Sequence, residues 1–158
     1  MTLDLHHGDD VDLNNPLDVA NQSFYYSSEH VPEDMKKSDF SILHINIRSL
    51  QKNFDSFQVL LNSLDHRFSI IALSETWLKT DPHSYYFLPG YQLIVNNRKG
   101  MKAGGGVALY VSSDLNFTVR EDLNLSNESL ESLFIEVINQ NVKNIISGVV
   151  YKAIITNS

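Results

Sequence analysis

The chain has 158 residues, of which 42% are hydrophobic and 10% aromatic, enough to build a hydrophobic core within one domain. It contains no cysteine, which excludes disulfide bonds, thiolate metal sites and cysteine nucleophiles. The formal net charge is −7, and an acidic chain is a poor candidate for nucleic-acid binding because phosphate contacts depend on lysine and arginine.

This acidity is confined to the start of the chain. Residues 1–39 contain nine Asp or Glu and two Lys, whereas residues 40–158 contain ten acidic and ten basic residues. Apolar residues are scattered over residues 1–38 and cannot repay the entropy of ordering. We therefore predict a disordered acidic leader over residues 1–38 and a folded domain over residues 39–158. Because that domain is neutral, the objection to DNA binding is weaker there.

Neither targeting nor membrane insertion is indicated by the sequence. The first residues have no basic segment followed by an apolar one, and no apolar run approaches the ~20 residues of a membrane span. We expect an intracellular protein, nuclear or cytoplasmic, that is neither secreted nor held in a membrane.

The folded part begins with a strand at 40–47 and a second strand at 69–74, separated by a helix. After a possible cap at Ser49, apolar residues recur at helical spacing: Leu50, Phe54, Phe57, Leu61 and Leu64. Two strands joined by a helix normally lie parallel in one sheet. Their carboxyl ends then face the same side, which brings Asn46 and Glu75 together.

The second half consists of short apolar segments separated by turn residues, and no helix is indicated. The predicted strands cover residues 91–96, 106–112, 115–120, 131–138 and 143–151. Their hairpin-like spacing favours a second, mainly antiparallel sheet that packs on the first. The fold class is therefore α/β, with a sandwich architecture.

Two polar side chains at strand ends are candidates for chemistry. Glu75 follows an apolar strand, where its carboxylate would suit a hard cation such as Mg²⁺. Asn46 ends the first strand, where its amide would bond a phosphate or orient Glu75. Arg48 offers a fork for phosphate. The alternatives are a loop cap for Glu75, a strand terminator for Asn46 and a surface ion pair for Arg48.

Four segments together resemble the endonuclease/exonuclease/phosphatase superfamily. They are Asn46 with Arg48-Ser49-Leu50, Glu75-Thr76-Trp77-Leu78, Gly104-Gly105-Gly106-Val107-Ala108-Leu109-Tyr110-Val111 and Gly148-Val149-Val150-Tyr151. They occur in the family's order between about Phe40 and Tyr151. The chain looks most like the endonuclease domain that begins the reverse-transcriptase polyprotein of non-LTR retrotransposons of the jockey and chicken-repeat type.

This resemblance implies a four-layered α/β sandwich of the DNase I-like type, of which the chain holds about the first half. It implies Mg²⁺ or Mn²⁺ as cofactor and DNA as partner. Asn46, Glu75 and Tyr151 would be catalytic, Glu75 would hold the metal, and Asn46 and Arg48 would contact DNA phosphate. Packing on the core is the equal alternative for Tyr151.

In that family an Asp-x-Asn motif follows the tyrosine strand and a Ser-Asp-His motif lies near the end of the domain, and neither occurs after Tyr151 in this sequence. We therefore expect the N-terminal fragment of a metal-dependent DNA endonuclease, truncated and with little or no activity alone, so its status as an enzyme is open. The alternatives are a non-catalytic remnant that binds nucleic acid or a partner protein, and a phosphoesterase for small substrates of the same superfamily.

Several other residues receive structural or secondary roles. The run Gly104–Gly106 lacks the Lys-Ser/Thr and helix of a phosphate loop, so we predict a flexible turn into a strand. Trp77 is expected to be buried. The histidines His44, His66 and His83 lack metal-ligand spacing. Basic residues that could line a DNA groove, besides Arg48, are Lys52, Arg98, Lys99 and Lys102.

Overall fold

The computed structural model describes residues 40–79, 85–98, 104–127, 130–140 and 143–152. The predicted leader lies outside these residues. The elements in chain order are β1 (Ile42–Asn46), α1 (Leu50–Leu64), β2 (Ile70–Ser74), β3 (Tyr91–Asn96), β4 (Val107–Ser112), β5 (Phe117–Val119), β6 (Leu125–Ser126), β7 (Leu130–Val137) and β8 (Ile145–Lys152).

Helix α1 confirms the helical periodicity of the sequence. The Ser49 side chain caps it by accepting a hydrogen bond from the Lys52 backbone N–H at 3.3 Å. The helix ends before Asp65, which has the left-handed φ of 45° that commonly terminates helices. Leu50 and Phe57 are buried, so the apolar stripe faces the first sheet.

The first sheet has the strand order β1-β2-β4-β3. Strands β1 and β2 are parallel, as the strand-helix-strand pattern predicts, while β4 is antiparallel to both β2 and β3. The assignment of β3 and β4 to a second sheet is wrong. All six residues of β4 are buried, because it is an inner strand with both faces covered.

The second sheet is antiparallel throughout. Strand β8 pairs along the whole of β7, and β5 and β6 pair with the two ends of β7. This sheet confirms a second antiparallel layer, but β5 is shorter than predicted and β6 was not predicted. With only two residues, β6 is too short to show an alternating pattern.

Apolar side chains form two cores, one on each face of the first sheet. In β2, Ile71 and Leu73 pack towards α1, whereas Ile70 and Ala72 pack towards the second sheet. The alternation follows from the two-residue period of a strand. The described residues therefore form three layers, helix on sheet on sheet, and the α/β class is confirmed. No helix in the described part of the chain is both long and apolar enough to cross a membrane.

Candidate active site

Asn46 and Glu75 meet at the carboxyl ends of the two parallel strands. Asn46 is the last residue of β1, and Glu75 immediately follows β2. Asn46 pairs in register with Ser74, so the next residue along β2 lies within reach of its side chain. Asn46 Nδ2 donates a hydrogen bond to Glu75 Oε1 at 2.8 Å. The proximity expected from strand topology is therefore present.

The backbone around these two residues adopts a conformation that L side chains disfavour. Positive φ angles occur at Arg48 (45°), Ser49 (86°), Glu75 (56°) and Trp77 (55°). Such angles cost of order 1–3 kcal/mol each and persist where surrounding contacts determine them. Here the two turns bond to each other, because Ser49 N–H donates to the Glu75 carbonyl at 2.8 Å. The chain thus fixes the backbone that carries the Glu75 carboxylate.

Tyr151 reaches the same carboxylate from the second sheet. Its hydroxyl donates to Glu75 Oε1 at 3.2 Å, joining β8 to the end of β2. The pKa of Tyr151 is raised, first by burial and then by the negative charge of Glu75. Both Asn46 and Tyr151 therefore donate to one oxygen. No described residue donates a hydrogen bond to the other carboxylate oxygen, Oε2.

A loop of three glycines supports the turn that carries Glu75. Gly104, Gly105 and Gly106 all have positive φ, and the carbonyls of Gly105 and Gly106 accept hydrogen bonds from this turn. Thr76 N–H donates to Gly106 at 3.2 Å, and Trp77 N–H donates to Gly105 at 2.9 Å. The run leads into β4, which confirms the predicted turn into a strand. Its function here is support by its backbone carbonyls.

Arg48 lies beside Asn46 with an exposed side chain that has no hydrogen-bond or ion-pair partner among the described residues. Asn53, one turn into α1, holds the Arg48 backbone. Asn53 Nδ2 donates to the carbonyls of Ile47 at 2.8 Å and Arg48 at 3.0 Å. Sequence reasoning missed Asn53, because a polar residue in the first turn of a helix is ordinary.

Trp77 is not buried, contrary to expectation, since 47% of it is exposed. The positive φ at this residue turns the chain so that the indole lies against Gly104 at the surface. Lys52 is also exposed, while Lys99 and Lys102 lie outside the described residues.

Arg98 does not line a surface groove, because its side chain is only 9% exposed. Its Nε donates to Glu131 Oε1, and the Glu131 side chain is fully buried on β7. The pKa of Arg98 is raised, first by the hydrogen bond to Glu131. Sequence analysis missed this pair, since residues 33 positions apart on different elements give no local signal.

The donor set fits a divalent cation held in part by its substrate. The available oxygen donors are Glu75 Oε2 and the side-chain Oδ1 of Asn46. Mg²⁺ is commonly bound by one or two carboxylates together with substrate phosphate and water. Among the described residues, no group of three or more His, Asp or Glu side chains gathers as a metal site, either at Glu75 or elsewhere. His44 and His66 bond to serines instead, and His83 lies outside the described residues.

No family model matches the chain, and no curated protein does. Solved structures similar to it include the 3′ phosphatase NExo from Neisseria, bound to a product DNA hairpin. The TM-score is 0.41 and the sequence identity is 23%. The match covers 66% of this chain and 39% of that chain, so this chain spans well under two thirds of the length of that phosphatase.

Proposed function

We propose that this site serves the metal-dependent hydrolysis of phosphodiester bonds in DNA, as in the endonuclease domain of a non-LTR retrotransposon that nicks its target. The observation that carries the proposal is the Glu75 carboxylate. Donors from two separate elements fix one of its oxygens, and the other is open among the described residues. A preorganised carboxylate with a free oxygen suits a divalent cation better than a surface ion pair.

The residues of this chain would share the work as follows. Glu75 and Asn46 would hold Mg²⁺ or Mn²⁺, and the metal, when bound, would stabilise negative charge on the phosphate oxygens. Tyr151 would keep the Glu75 carboxylate in one orientation. The exposed Arg48 guanidinium would pair with a DNA phosphate through its fork of N–H donors.

This chain would bind the phosphate and the metal, and it would not activate the attacking water. In the resembling family that step belongs to an Asp-x-Asn motif and a Ser-Asp-His motif that follow the tyrosine strand, and neither occurs after Tyr151 in this sequence. We therefore propose that the chain corresponds to the N-terminal part of a four-layered endonuclease domain. Binding is consequently a sharper test than turnover.

The test is binding of a fluorescent duplex DNA to the 158-residue chain, measured by anisotropy in Mg²⁺ and in EDTA. We expect tighter binding in Mg²⁺, with that gain lost in Glu75→Gln. Asp55→Asn is the matched control, because it removes the same charge from an exposed position on α1 and should keep the gain. Arg48→Gln should weaken binding and reduce its salt dependence by about one unit of slope.

A non-catalytic binding module is the second candidate, favoured by the single carboxylate at this site. It would bind DNA or a protein equally well in Mg²⁺ and EDTA, and Glu75→Gln would leave the affinity unchanged. That result would refute the metal-dependent proposal. Hydrolysis of a small phosphoester with no binding of DNA would refute DNA as the substrate and favour the phosphoesterase alternative.

A further inference from the structure

Arg98 occupies a buried position between Tyr151 and the glycine loop that supports the Glu75 turn. It follows β3, and its Nε donates to Glu131 on β7. Glu131 is the register partner of Tyr151 on the neighbouring strand β8, so their side chains share one face of the second sheet. The guanidinium Cζ lies 6.0 Å from the centre of the Tyr151 ring, within cation–π range.

The same guanidinium also contacts the glycine loop. A Cβ added to Gly105 would lie 2.4 Å from Arg98 Cζ, which shows how closely the loop backbone approaches the charge. The Gly105 carbonyl accepts the Trp77 N–H at 2.9 Å, two residues after Glu75. Arg98 therefore contacts the ring of Tyr151 on one side and the support of the Glu75 turn on the other.

Stability alone does not account for this buried ion pair. Within the described residues, Arg98 Nη2 and Glu131 Oε2 are buried without a hydrogen-bond partner. A buried pair whose remaining polar atoms are unsatisfied commonly gives no advantage over an apolar pair of similar volume. What the guanidinium adds is a flat, fixed cation between the Tyr151 ring and the Gly105 backbone.

We infer that Arg98 is a positioning residue, which sets the hydrogen bond from Tyr151 to Glu75 by contacting both the tyrosine ring and the glycine loop. The inference rests on the proposed function for its relevance to catalysis, but its geometry is independent of DNA or metal. Because its side chain is buried, Arg98 acts through these two neighbours and does not touch substrate.

The experiment measures how strongly Tyr151 senses Glu75, using the full chain with ¹³C-labelled tyrosine rings. The Tyr151 Cζ signal is identified by its loss in Tyr151→Phe. Glu75→Gln shifts this signal, since a charged acceptor makes a stronger hydrogen bond than a neutral one. In an Arg98→Lys background we expect that shift to fall to less than half. The Tyr110 signal, from the opposite face of the first sheet, should stay unchanged and report an intact fold.

An undiminished shift in Arg98→Lys would overturn the inference, because lysine keeps the charge but lacks the flat fork. If Arg98→Lys does not fold, Glu131→Gln takes its place, since it weakens the anchor of Arg98 while conserving volume. A smaller shift there supports positioning, and an unchanged shift overturns it. Failure of metal-dependent DNA binding would refute the proposed function. The Tyr151 shift would still test the positioning role of Arg98, because it is measured without DNA or metal.

Discussion

Substitution of Gly105 by alanine tests whether the glycine loop is built around Arg98. The φ of Gly105 is +73°, so an alanine in this left-handed conformation costs about 1–2 kcal/mol of stability. Its Cβ would also lie 2.4 Å from Arg98 Cζ, and the guanidinium is anchored to buried Glu131. Separating a buried ion pair costs about 3–5 kcal/mol, so the expected loss in the free energy of unfolding is roughly 4–7 kcal/mol.

Gly90→Ala is the matched control. Gly90 has a similar φ of +80°, but the nearest atom to its added Cβ is Arg67 Nη2 at 2.9 Å. Arg67 is 55% exposed, so its bonds to the Gly90 carbonyl, Ser112 and Asp114 lie at the surface, where their loss costs far less than separating a buried ion pair. We expect a loss of about 1–2 kcal/mol from the backbone and at most about 1 kcal/mol from the displaced surface contacts of Arg67.

Urea denaturation at pH 7, followed by circular dichroism, measures both losses. A Gly105→Ala variant no less stable than Gly90→Ala would refute the argument, because the contact with Arg98 would then carry no energetic weight.

Two further predictions concern single side chains. Tyr110→Phe removes a hydrogen bond of 2.7 Å to the Tyr86 carbonyl and should cost about 1 kcal/mol at pH 7. Burial raises the pKa of Tyr110 above its ordinary value of 10.0, so the folded state keeps a proton that the unfolded state loses. The contribution of Tyr110 to the free energy of unfolding is therefore fully present below pH 10 and is lost as the pH rises above it. Urea denaturation at increasing pH should show a smaller loss of stability in Tyr110→Phe than in the unsubstituted chain. Asn53→Ala removes two hydrogen bonds to the turn after β1 and should lower the free energy of unfolding by about 1–2 kcal/mol, measured by thermal unfolding. The exposed control Asn62→Ala should change it by no more than about 0.5 kcal/mol. Equal losses in the two variants would contradict the role of Asn53.

The parts of the fold set by local pattern could be predicted from sequence. The helical spacing of apolar residues defines α1, and a helix between two strands makes β1 and β2 parallel. The meeting of Asn46 and Glu75 follows from that topology alone.

Features that depend on distant partners could not be predicted in the same way. Strand β4 has the composition of a buried strand, but composition does not say which sheet receives it. Arg98 looks like a surface base in the sequence, and only the tertiary fold places it against Glu131. The sequence predicts a buried Trp77, whereas the strained turn exposes it.

The bond between Tyr151 and Glu75 has a consequence for the order of assembly. It joins residues 76 positions apart, whereas α1 and the β1-β2 pair form from segments close in sequence. Contacts of long sequence separation close a large loop and tend to form late. During synthesis, Glu75 therefore acquires its tyrosine partner only after β8 has emerged and docked. The orientation of this carboxylate is a marker of completed folding.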